Sequence, residues 1–92
     1  MIQSFKHKGL KRLYTNGERA GVRPDLVARI ERVLHRLDTI TEPGQMDLPG
    51  WRLHPLTGDD RGFWSVAISG NWRVIFRLEG GQPHDVELID YH

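Results

Sequence analysis

Two imidazoles, a phenol, a carboxylate and a set of guanidiniums lie in the second half of this 92-residue chain, where a small sheet could gather them. They are His54, Arg73, Asp90, Tyr91 and His92, with Arg52 and Arg77 beside them. Such groups suit cleavage of a ribose phosphodiester by general acid–base catalysis without a metal. One group takes the proton of the 2′-hydroxyl, a second protonates the departing 5′-oxygen, and a cation meets the charge that develops on the phosphate. That attack leaves a 2′,3′-cyclic phosphate and a 5′-hydroxyl. Taken singly, a histidine such as His54 before Pro55 is more often structural than catalytic, and a terminal one such as His92 is more often a solvated end. The five histidines make no HxxxH or HExxH pair and the chain has no cysteine, so no metal site is expected. Neither a Gly-rich phosphate loop nor a serine-nucleophile elbow is present, and no cofactor is implied.

The elements that must position these groups centre on the stretch from Phe63 to Arg77, FWSVAISGNWRVIFR. Trp64, Val66 and Ile68 alternate with Ser65, Ala67 and Ser69; beyond Gly70-Asn71, Trp72, Val74 and Phe76 alternate with Arg73, Ile75 and Arg77. Alternate strand residues point to opposite faces, so the stretch is a hairpin with one apolar face. Arg73 and Arg77 on the other face suit an anion held by bidentate bonds. From the hairpin alone, an edge strand kept soluble by charge is the favoured reading. A strand is expected over residues 51–56, interrupted at Pro55, with Trp51 and Leu53 inward and Arg52 and His54 outward. Thr57 to Gly62 and Glu79 to His84 read as turns. Val86 to His92 reads as a last strand, and Asp90, Tyr91 and His92 reach the same cleft if that strand lies beside the hairpin.

Ahead of the sheet, Ile2 to Phe5 reads as a short strand. Leu10, Leu13 and Tyr14 fall at helical spacing up to Asn16-Gly17, a C-terminal cap signal. A second helix starts near Pro24, with Leu26, Val27, Ile30, Val33, Leu34 and Leu37 in a stripe about 120° wide, the arc of a core-facing helix. Residues 43–50 read as a loop. Lys8, Lys11 and Arg12 share a face of the first helix, and Arg29, Arg32 and Arg36 flank the stripe of the second. A solvated face and a contact with nucleic acid both fit such clusters.

The net charge of +1 conceals an asymmetry: residues 1–36 hold nine bases against three acids, and residues 37–92 hold four against nine. A basic half suits docking onto a phosphate backbone, and also a fold whose helices cover an acidic sheet rim. The length is that of one domain over residues 1–92. With no signal peptide and no membrane-spanning run, a cytoplasmic location is expected. The order β-α-α-β-β-β-β predicts an α+β fold in which two N-terminal helices pack on one face of a small, mostly antiparallel sheet.

The opening SFKHKGLK, the segment WRLHPLTGD, the hairpin and the ending IDYH together resemble HigB-type toxins of the RelE superfamily. The resemblance spans nearly the whole chain. It implies a RelE-like fold and a toxin of a type II toxin–antitoxin system that cleaves messenger RNA on the translating ribosome. It further implies a helix-turn-helix, HigA-like antitoxin, with operator DNA contacted only through that partner. His54, Arg73, Asp90, Tyr91 and His92 match the family's cleavage residues. Lys8, Lys11, Arg12, Arg29, Arg32, Arg36, Arg52 and Arg77 are expected to meet ribosomal RNA or message. Thr57 departs from the pattern, since relatives carry lysine after HPL, and the change bears on substrate affinity. Two other readings share the fold: a ParE-like inhibitor of gyrase, and an inactive member that only binds antitoxin. A complete His54 and DYH set argues for the nuclease.

Overall fold

The computed structural model describes residues 1–90, which form two α-helices and one four-stranded antiparallel sheet. Helix α1 runs from Lys8 to Asn16. His7 caps it, its Nδ1 accepting the Leu10 N–H at 3.0 Å. Gly17 ends it at φ 70°, where a residue with a Cβ would be strained. Pro24–Leu26 form one 3-10 turn that leads into α2, Val27–Leu37. The regular helix therefore starts three residues later than Pro24 suggested. Proline fixes the entry angle, but the first turn closes by i to i+3 bonds.

Strands β1 (His54–Pro55), β2 (Phe63–Ser69), β3 (Trp72–Glu79) and β4 (Gln82–Asp90) pair in chain order. The expected strand over 51–56 is thus reduced to its last part. Gly50 at φ 83° and Arg52 at φ 50° break the extended backbone on either side of Trp51. Trp51 is buried as expected, whereas Leu53 is only half-buried. The stretch from Ile2 to Phe5 is an attached segment rather than a full strand. It runs parallel to β4 through a bridge between Phe5 and Val86, and Val86 N–H donates to the Ser4 carbonyl at 3.1 Å. Residues 43–46 coil into a 3-10 turn closed by a capping box between Glu42 and Gln45.

The core lies between the helices and one sheet face. Leu10, Ile30, Val33 and Leu37 are fully buried against Val66, Val74, Phe76 and Val86. Two irregularities shape the sheet, one between Ala67 and Ser69 of β2 and one opposite Ile75 and Arg77 in β4. The second is built on Asp85 at φ 54°. The extra residue lets Pro83 and Val86, three positions apart, both turn inward, which strict alternation forbids.

Candidate active site

His54 is exposed on β1 and stands directly opposite Ser65 of β2, which in turn stands opposite Ile75 of β3. Directly opposed residues share a face, so His54 belongs to the face of Ser65, Ile75 and Arg73, away from the helices. Its Nδ1 lies 3.1 Å from the Arg52 carbonyl oxygen. A carbonyl only accepts, so in that bond Nδ1 is the donor, which in the neutral tautomer leaves the lone pair at Nε2. Arg52 itself has a left-handed backbone, at φ 50°.

Arg73 is half-buried opposite Ala67, and its Nη1 donates to the carbonyls of Gly70 at 2.7 Å and Trp72 at 3.0 Å. The head is thereby clamped to the hairpin turn, and among the described residues Nε and Nη2 are left as donors. His54 and Arg73 are two strands and one pair step apart, roughly 12 Å between Cα atoms from strand spacing alone. Extended substrate, rather than a single atom, would bridge such a span. Beneath them the sheet face is not fully wet: Ile75 and Leu56 are buried, and Ser65 is 1% exposed with its hydroxyl unpartnered.

Arg77 lies on the same strand but is committed elsewhere. Its Nε donates to Asp85 at 2.7 Å and its Nη1 to Glu79 at 2.6 Å, so both carboxyls sit below their ordinary range, the Arg77 bonds being the main cause. Asp90 stands opposite Trp72, which puts it on the helix side of the sheet end, one position from the Arg73–Ile89 pair. Tyr91 and His92 lie outside the described residues. Among the described residues, no three His, Asp or Glu side chains are grouped to hold a metal ion.

The basic residues divide in two. The side chains of Lys8, Lys11, Arg32 and Arg52 are exposed and make no hydrogen bond or ion pair among the described residues. Arg12 faces Glu18 at 3.6 Å and Arg36 donates to the Gln45 carbonyl at 2.9 Å, both on the surface. Arg29 turns inward: its Nη2 donates to the carbonyls of Gly50 at 3.3 Å and Ala67 at 3.4 Å, over the Trp51 ring. Sequence reasoning gave Arg29 no internal role. The signal was available, because a residue about 40° round the helix from Val33 borders the core stripe.

A separate cavity of about 250 Å³ opens between α1 and α2, lined by Leu13, Tyr14, Glu31, Leu34, His35 and Asp38. It lies on the helix side, away from His54. No described helix is long and apolar enough to cross a membrane.

Comparison with known proteins agrees with this architecture. A solved structure, the YoeB/ParE toxin from Agrobacterium tumefaciens, superposes with a TM-score of 0.54 over 100% of this chain and 99% of that one; at 18% identity it speaks for the fold. The Endoribonuclease HigB of Proteus vulgaris is 44% identical over 92 residues, the full length of both chains. Residues 3–92 match the family described as the RelE-like toxin of the type II toxin–antitoxin system HigB. The chain belongs to the HigB-like toxins of type II toxin–antitoxin systems.

Proposed function

We propose that this toxin is an endoribonuclease that cuts messenger RNA on the ribosome by attack of the 2′-hydroxyl, with no metal in the reaction. Family membership and the full-length likeness to a protein named as an endoribonuclease support the nuclease reading. The observation that carries the mechanism is the 3.1 Å contact between His54 Nδ1 and the Arg52 carbonyl oxygen: with Nδ1 as the donor of that bond, Nε2 of a neutral ring is left as the base. In this scheme His54 takes the 2′-hydroxyl proton. The clamped Arg73 offers its remaining donors to the phosphate as charge builds there. His92 protonates the leaving 5′-oxygen, Tyr91 orients the nucleophile, and Asp90 orients a neighbouring side chain. Lys8, Lys11, Arg12, Arg32, Arg36 and Arg52 meet the ribosomal or messenger backbone. The toxin acts in the cytoplasm and is held in check by a helix-turn-helix antitoxin, which alone contacts operator DNA.

The test is to map transcript 5′ ends after brief induction in cells without antitoxin. New 5′-hydroxyl ends confined to translated regions are expected. Ends carrying 5′-phosphate would mean attack by water and overturn the mechanism. DNA breaks with intact transcripts would replace the nuclease by a gyrase inhibitor.

A further inference from the structure

Arg29 stands on α2, on the far side of the sheet from His54 and Arg73, yet it touches the backbone that carries both. Its Nη2 reaches the Gly50 carbonyl at 3.3 Å and the Ala67 carbonyl at 3.4 Å. Gly50 opens the loop that leads through Trp51 and the left-handed Arg52 to His54. Ala67 is the residue opposite Arg73, at the point where β2 goes out of step with β3. A third link closes the set: Ala67 N–H donates to the Trp51 carbonyl at 2.7 Å. The guanidinium lies 5.7 Å from the Trp51 ring centroid, and Trp51 is itself buried.

This is a costly way to join a helix to a sheet. The two bonds are long, and Arg29 Nε is buried with no hydrogen-bond partner. An apolar side chain would fill the space without desolvating a charge. What an apolar side chain cannot do is hold two carbonyls from two segments at a fixed separation, as a planar guanidinium does. We propose that Arg29 is a positioning residue that fixes the His54 loop relative to the Arg73 pair. It acts through the Gly50 and Ala67 carbonyls, not through RNA. Loss of its grip frees the 50–52 loop, and the Arg52 carbonyl no longer holds the His54 ring in one orientation. A displacement of about 1 Å between base and phosphate clamp lowers rate on the order of 100-fold without weakening binding.

The kinetic part of this inference rests on the nuclease reading; the structural part does not. Two measurements on Arg29→Met and Arg29→Lys therefore test it. The first is the ¹⁵N NMR signature of the His54 ring in the free toxin, which reports whether Nδ1 or Nε2 carries the proton. The second is kcat and KM for cleavage of a short message on programmed ribosomes. Wild type is expected to favour the Nδ1–H tautomer. Arg29→Met is expected to lose that preference and to drop kcat by about 10- to 100-fold with KM unchanged. Arg29→Lys keeps the charge but not the planar fork, and is expected to fall between the two in both readouts. Where Arg29→Met does not fold, the lysine variant carries the test. A wild-type His54 spectrum in the variants overturns the inference. So does a loss confined to KM that deepens with salt, the mark of a phosphate contact. A lysine variant equal to wild type in both readouts overturns it as well. If wild-type toxin cuts no RNA, the nuclease reading fails and the His54 spectrum alone decides the role of Arg29.

Discussion

Tyr14 donates a 2.6 Å hydrogen bond to Asp38 Oδ1, and the same oxygen accepts the Ile2 N–H at 2.8 Å. One carboxylate thus ties α1, the end of α2 and the start of the chain. Burial pushes Asp38 up, but the bonds from Tyr14 and Ile2 and the nearby positive charges outweigh it, and the carboxyl ends below its usual 3.8. The Asp38 bond, with burial, pushes Tyr14 up from 10.0 to about 12. Tyr14→Phe should destabilise the fold by about 1.5–3 kcal/mol near neutrality, the scale of a hydrogen bond to a charged group.

The pH dependence follows from those two shifts. Asp38 contributes stability above its ordinary carboxyl value and loses it as pH falls through the lower folded value. Tyr14 contributes below pH 10.0 and loses its share as pH rises towards about 12. The gap between wild type and Tyr14→Phe should therefore be flat around neutrality and narrow on both sides. Urea unfolding at about pH 3, 7 and 11 measures it; an equal gap at all three would show that the bond is not coupled to folding.

Gly9 of α1 crosses Gly21 of the connector at backbone contact. A Cβ on Gly9 would press on the Gly21 carbonyl oxygen, and one on Gly21 would come within 2.7 Å of Gly9 Cα. Although alanine favours helix, Gly9→Ala should cost about 1–3 kcal/mol because backbone must move to admit the methyl. A thermal melt equal to or above that of wild type would mean the crossing opens freely.

At Asp85 the bulge of β4 depends on a left-handed backbone and on Arg77. Asp85→Val should lose about 1–2 kcal/mol from backbone strain alone, with the lost Arg77 bond in addition. Asp85→Asn tolerates the conformation and should fall much less. Chemical denaturation separates the two, and equal stabilities would mean the bulge moves elsewhere in the strand.

His54→Ala and Arg73→Ala should each remove toxicity in cells lacking antitoxin. Losing a general base costs about 10² to 10⁴ in rate, and losing a charge-stabilising donor about 10² to 10³. Growth arrest by either variant, at soluble levels matched to wild type, would assign the chemistry to other residues.

Local physics made much of this protein legible in its sequence. The stripe from Leu26 to Leu37, the Gly17 cap and the alternation from Phe63 to Arg77 each report backbone period or a special φ, and periodicity is a local property. Those signals placed both helices, the central hairpin and most of the core. Residues such as Trp51, Val66, Val74 and Phe76 could be assigned inward because alternation sets them on the apolar face of their segments.

What only the tertiary structure decided were partnerships between segments distant in the chain. Arg29, Arg32 and Arg36 look alike along α2, yet Arg29 alone meets the carbonyls of Gly50 and Ala67. Arg73 and Arg77 share a strand face, but among the described residues only Arg77 finds two carboxylates, because the β4 bulge brings Asp85 within reach of it. The strand expected over 51–56 gave way at Arg52, whose backbone is left-handed and whose carbonyl oxygen lies 3.1 Å from His54 Nδ1. A charged side chain carries no mark of its partner: it pairs with whichever oxygen the fold brings within about 3 Å, and that distance is set by packing and register rather than by its own neighbours in sequence.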